Sequence, residues 1–137
     1  MSKEIVFFLV DDDADDRLIF TMALGCLHSK IECITAKDGE EALEMLKNET
    51  FTPDFIFLDL NMPRVDGKEC LVQIRKMERL QKVPVYIYST SLQEKDREET
   101  LSLGATGYFI KPYSTTALVN MFSKIIVNSY PPTVKSI

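Results

Sequence analysis

Five short apolar runs, each followed by a longer stretch of helical character, constrain the fold of this chain more than any other feature. Glu4–Val10, Ile31–Thr35, Phe55–Asp59, Val85–Ser89 and Gly107–Ile110 read as strands. "IVFFLV" and "FIFL" are apolar without alternation, the pattern of strands buried on both faces. Between and after the runs, apolar residues return at helical spacing. They are Ile19, Met22, Ala23, Cys26 and Leu27 in the first helix, and Ala42, Leu43 and Leu46 in the second. In the last they are Leu118, Met121, Phe122, Ile125 and Ile126. Asp38 with Glu41, Asp66 with Glu69 and Ser91 with Glu94 have the spacing of a helix-opening capping box. Gly104 is placed to end the fourth helix in a left-handed turn. Gly25, inside the first helix, works against the scheme by about 1 kcal/mol relative to alanine. Strict alternation of strand and helix implies an α/β fold, a doubly wound parallel sheet with helices on both faces.

Length and composition limit what such a sheet can serve. At 137 residues the chain is long enough for one core, and 45% apolar with 27% charged residues suits an ordinary globular domain. No apolar run approaches the ~20 residues of a membrane span, and the start "MSKEIVFFLVDDD" lacks the features of a secretory signal. A net charge of −5 speaks against a grip on nucleic acid. Cys26, Cys33 and Cys70 lack metal-binding spacing and read as small core or half-buried thiols. A reducing cytoplasm is the expected location. His28, near a helix end, reads as a surface residue with no supporting group beside it.

In parallel sheets, ligands gather outside the carboxyl ends of the strands. Here the first strand ends in Asp11, Asp12 and Asp13, the third in Asp59, the fourth in Ser89 and Thr90, and the fifth in Lys111. If the first and third strands are neighbours, Asp11 or Asp12 lies a few ångströms from Asp59. Two like charges 4 Å apart repel by ~4 kcal/mol at an effective dielectric of 20. Either one acid holds a proton or a cation neutralises them. Oxygen-only ligands favour a hard divalent ion, and Mg²⁺ fits best because it tolerates few protein ligands. Lys111, restrained by Pro112, is a point charge suited to an oxyanion, and Ser89 adds a neutral donor. Metal, ammonium and hydroxyl around one carboxylate make a trap for phosphoryl oxygens, with Asp59 as the nucleophile. Asp13, Asp15 and Asp16 read as a solvated helix start favoured by the helix dipole.

The pieces "LVDDD", "FLDLNMPRVDG", "VPVYIYSTS" and "GATGYFIKPY", in this order and spacing, resemble a response-regulator receiver domain of two-component signalling. The resemblance covers residues 4 to 128 and leaves 129–137, with Pro131 and Pro132, as an extended or disordered tail. It implies a flavodoxin-like sheet of order 2-1-3-4-5 flanked by five helices. It also implies site roles. Asp59 matches the phosphoacceptor and Asp12 the direct Mg²⁺ ligand, with Asp11 acting through water and Asn61 lending its backbone carbonyl. Ser89 matches the switch hydroxyl, since the family spacing counts 22 residues back from Lys111, and strand alternation agrees weakly. Thr90 then stands where the family has a small residue, narrowing access to the phosphoryl group. Lys111 matches the phosphate-binding lysine and Tyr108 the aromatic that changes rotamer. Pro63 and Gly67 belong to the turn after the phosphoacceptor, and the Lys111–Pro112 bond is usually cis in the family.

The function so implied is that of a single-domain, chemotaxis-regulator-like response regulator. It would accept a phosphoryl group from a histidine kinase or phosphotransfer protein, and signal by docking or phosphorelay through its fourth helix, fifth strand and fifth helix. Nine residues after the last helix are too few for an output domain, so a separate downstream protein is expected, with neither nucleic acid nor membrane as partner. Beyond its own phosphorylation and dephosphorylation, no enzymatic activity is expected. An aspartyl phosphatase of the haloacid-dehalogenase type would need an acid two residues after its nucleophile, where Asn61 cannot act as a general acid or base. A flavin-binding module would need a glycine- and hydroxyl-rich loop after the first strand, where this chain has acids. A degenerate receiver that works without phosphorylation conflicts with the presence of Asp12, Asp59, Ser89 and Lys111.

Overall fold

A computed structural model of the chain describes residues 4–27 and 30–129. His28 and all of the expected tail except Ser129 lie outside the described residues. Strands β1 (Ile5–Val10), β2 (Ile31–Ala36), β3 (Phe55–Leu58), β4 (Val85–Ser89) and β5 (Gly107–Ile110) alternate with five helices. These are α1 (Ala14–Leu24), α2 (Gly39–Leu46), α3 (Gly67–Arg75), α4 (Glu94–Ser102) and α5 (Thr115–Ser129). All strand pairs are parallel, in the order β2-β1-β3-β4-β5, so the expected topology is the observed one.

Strand alternation divides the core in two. Phe8, Val10, Ile56, Leu58, Val85 and Ile87 face α2 and α3, meeting Ala42, Leu46, Cys70, Leu71 and Ile74. Phe7, Leu9, Phe55, Phe57 and Tyr88 face α1 and α5, meeting Phe20, Ala23, Leu24, Leu118, Phe122 and Ile125. The last group matches the expected inner face of α5. That of α1 matches only in part: Ala23 is buried and Leu27 packs against the core, but Ile19 and Met22 are 46% and 62% exposed and Cys26 is exposed, while Phe20 and Leu24 are buried. Apolar residues occupy both sides of this helix, and the large ring decides between them. Phe20 packs at centroid distances of 4.7, 5.2 and 5.4 Å from Phe122, Phe57 and Tyr88. Burying a ring of that size outweighs what the smaller side chains on the other face could gain.

Helix ends follow local chemistry. Asp13 caps α1 by accepting from the N–H groups of Asp15 and Asp16. Asp38 and Asp66 cap α2 and α3, accepting from Glu41 and Glu69 at 2.8 and 3.0 Å. Ser91 does not cap α4, whose N-cap is Gln93 with no side-chain bond. Its hydroxyl is committed to Asp96 Oδ2 at 2.6 Å. Gly25 is the C-cap of α1 and not an interior residue, so the expected helix penalty does not arise. Gly104 turns the chain after α4 at φ +108°, a conformation open to glycine because it has no Cβ. Of the three thiols, Cys70 is buried and Cys33 half-buried, but Cys26 is exposed, unlike the expectation for it. Among the described residues no peptide bond is cis, so Lys111–Pro112 is trans, against the family habit. Trans is the intrinsically favoured form of an X-Pro bond, and Lys111 reaches its carboxylate partners from it.

Register sets up the edge of the sheet. Val10 lies beside both Ala36 and Leu58, so β1 and β3 end level with one another. The next backbone bonds, Asp59 N–H to the Val10 carbonyl and Lys111 N–H to the Ser89 carbonyl, are each 2.9 Å. Residues 11, 59, 89 and 111 are thereby held at one rim.

Candidate functional site

Asp11, Asp12 and Asp59 each offer a carboxylate oxygen within 4.8 Å of the others. Asp11 is fully buried and Asp59 nearly so, whereas Asp12 is exposed. Lys111 Nζ stands among acids, 2.9 Å from Asp11, 3.5 Å from Asp59 and 2.7 Å from Asp16. Asp11 Oδ1 accepts from Asp13 N–H at 2.9 Å. Its Oδ2 is buried and makes no directed hydrogen bond, only the ion contact with Lys111. Burial raises the Asp11 carboxyl above the usual range, against the pull of Lys111. The Asp59 carboxyl is pushed up to about 6, by burial first, with Lys111 opposing and the Asp11 and Asp12 charges adding. Burial works to lower the Lys111 ammonium, but its hydrogen bond to Asp16 and its ion contact with Asp11 prevail and raise it.

The loop after β3 folds back over the Asp59 backbone. Asn61, exposed, directs its N–H to Asp59 Oδ1 at 3.4 Å, and Pro63 lies in the exposed turn beyond. Gly67 opens α3 where any Cβ would collide with the Asp59 carbonyl and the Leu60 backbone. On the other side, Ser89 is fully buried and its Oγ accepts from Ser91 N–H at 3.1 Å, while Thr90 is exposed. Tyr108 is half-buried, with its hydroxyl donating to the Ser91 carbonyl at 3.0 Å. Pro112 is half-buried behind Lys111.

Two neighbours of the site were not anticipated. Asp16 is not a purely solvated helix start, because its carboxylate holds Lys111. Tyr88 places its ring centroid 5.5 Å from the same ammonium. Its position beside Ser89 signalled a place at the rim, but strand alternation puts the two side chains on opposite faces. Nothing local connects Asp16 with a residue 95 positions later.

The donor set fits a hard cation: three carboxylates, no histidine or cysteine, and one buried oxygen lacking a directed partner. Beside it stand a hydroxyl and an ammonium, so the rim can hold a metal and an oxyanion side by side.

Comparison with known proteins identifies the family to which the chain belongs. The family described as "Response regulator receiver domain" matches residues 7–123. The sensor histidine kinase CheAY of Helicobacter pylori is 32% identical over 124 residues, 90% of this chain and 15% of that protein. The chain likewise spans just under half the length of several transcriptional regulators that it matches. Among solved structures, the phosphorylated cyanobacterial phytochrome response regulator RcpA has a TM-score of 0.84 at 30% identity, covering 97% of this chain and 98% of that one. The Mn²⁺-bound form of the response regulator Rcp1 has a TM-score of 0.80 at 28% identity, covering 97% and 99%.

Proposed function

The chain belongs to the response regulator receiver domain family, and from that premise we propose that it signals by accepting a phosphoryl group on Asp59. The observation that carries this reading is the crowding of Asp59, nearly buried, between two further acids and the Lys111 ammonium at one sheet edge. A carboxyl pushed up to about 6 is ionised near neutral pH and is a stronger base than an ordinary aspartate. One oxygen of Asp59 attacks phosphorus, the bond to the donor breaks, and the donor leaves with that electron pair. Lys111 then pairs with a phosphoryl oxygen. The Ser89 hydroxyl, which accepts from Ser91 N–H, keeps its own hydrogen free to donate to another.

Asp12, Asp59 and the Asn61 carbonyl would hold Mg²⁺, with Asp11 reaching it through water. When bound, the ion supplies neutralisation of the clustered carboxylates and of the incoming phosphoryl charge. The Mn²⁺ form of Rcp1 supports a divalent ion here. Thr90, at the mouth of the site, limits access to the phosphoryl group. Movement of Ser89 toward that group would draw on Ser91 N–H, and Ser91 also holds Tyr108, so α4, β5 and α5 take the signal to a partner surface. The donor is a histidine kinase or phosphotransfer protein, and the receiver unit is residues 4–128. Among the described residues no helix is long and apolar enough to cross a membrane, and the cytoplasm is the proposed site of action.

Acetyl phosphate with Mg²⁺ tests this reading. One acid-stable, base-labile phosphoryl group should appear by mass spectrometry, be absent from Asp59→Asn, and require the metal. Lys111→Ala should impair the conformational response more than Mg²⁺ affinity. Equal loss of both would remove the role given to Lys111, and turnover of external phosphoesters would favour a phosphatase instead.

A further inference from the structure

An ammonium has three N–H donors, and around Lys111 three carboxylates already stand: Asp16 at 2.7 Å, Asp11 at 2.9 Å and Asp59 at 3.5 Å. Of these only Asp16 takes a directed hydrogen bond from the ammonium, so turning Lys111 toward a phosphoryl oxygen on Asp59 draws it off Asp16. Asp11 is fully buried, and the Asp59 carboxylate, the most distant of the three, is the group that becomes the acyl phosphate. The Asp16 side chain is 34% exposed and can be rehydrated where it stands. The Tyr88 ring, 5.5 Å from the ammonium, offers its face to the lysine alongside Asp16. We propose that Asp16 is a positioning residue that holds Lys111 back from Asp59 in the unphosphorylated protein and releases it when the phosphoryl group arrives. This rests on the reading of Asp59 as phosphoacceptor and deepens it. The acid on the first turn of α1 competes with the phosphoryl group for one cation, and so sets how readily the site fills.

A double-mutant cycle at subsaturating acetyl phosphate measures the competition. Asp16→Asn should raise the phosphorylation rate roughly fivefold, the size expected for losing one half-exposed ion pair. Asp15→Asn removes an equal charge from the exposed neighbouring position and should change the rate less than twofold. In a Lys111→Met background, Asp16→Asn should have no effect. Equal effects of Asp15→Asn and Asp16→Asn, or an Asp16→Asn effect that survives without Lys111, would overturn the proposal. Independently of phosphorylation, a lysine-selective NMR spectrum of the metal-free protein should show the Lys111 ammonium signal shift in Asp16→Asn and return in Asp16→Glu. An unmoved signal would overturn the proposal even if Asp59 took no phosphoryl group, an outcome that would itself count only against the functional reading.

Discussion

Burial raises two rim carboxyls, Asp11 and Asp59, and the second gives this fold a pH dependence whose sign can be worked out. Asp59 is pushed up to about 6 in the folded chain, by burial above all, whereas an unfolded aspartate titrates near 3.9. Between those values the folded state binds a proton that the unfolded state has lost, so stability falls as pH rises through the window. Asp59→Asn removes the cost. In metal-free buffer it should be more stable than the parent by about 2 kcal/mol at pH 7.5, with the difference closing below pH 4, as read by urea unfolding. A variant less stable at pH 7.5 would mean that Lys111 and not burial governs this group. Gly67 acts at the same scale by steric exclusion. Gly67→Ala forces a methyl group into the Asp59 and Leu60 backbone and should cost about 2–3 kcal/mol, measured by the same unfolding.

Helix α4 differs from the other elements in how it is held. Thr100 is its one buried residue, and its sequence, "EKDREETLS", has almost nothing to offer a core. Polar ties fasten it instead. Lys68 on α3 reaches Asp96 at 2.9 Å and Glu99 at 3.3 Å, and the Ser91 hydroxyl meets the same Asp96. Ties of this kind are weak singly, so α4 can move without opening the core. Lys68→Ala should speed amide hydrogen exchange in α4 by about two- to fivefold and leave α1 and α5 unchanged. Unaltered α4 exchange would show that its packing on β5, and not the lysine, restrains it.

Across the whole molecule, the two faces of the sheet carry different materials. Mainly aliphatic side chains, with the Phe8 ring and the Cys70 thiol among them, fill the α2–α3 side, and a linked set of rings dominates the α1–α5 side. Phe122 joins Phe7, Phe20 and Phe57 at centroid distances of 5.6, 4.7 and 6.0 Å, tying α5 directly to α1 and to the sheet. Phe122→Ala should cost about 3–5 kcal/mol in urea unfolding, since the stiff rings around it cannot collapse into the void. A loss near that of an exposed residue would mean that this ring network is not the main support of α5. The rigidity of that face also keeps Phe20, and with it the turn carrying Asp16, in a fixed relation to Tyr88 and Lys111.

Alternating runs of apolar strand and amphipathic helix determined the order of elements and the parallel sheet, because these depend on spacings of two and of three to four residues. Strand ends likewise named Asp11, Asp12, Asp59, Ser89 and Lys111, since a parallel sheet delivers all its carboxyl termini to one rim. Tertiary structure alone decided the rest. On α1 either apolar face could have turned inward, and the fit of Phe20 among three other rings chose. Ser91 had capping spacing but found Asp96, and Arg75 satisfies the carbonyls of Leu80, Val83 and Gly104 from two separate stretches of chain. Asp16 meets Lys111 across 95 positions. Local periodicity constrains which way a side chain leaves its own element; what it meets there depends on how separate elements pack, and that is decided when the whole core closes.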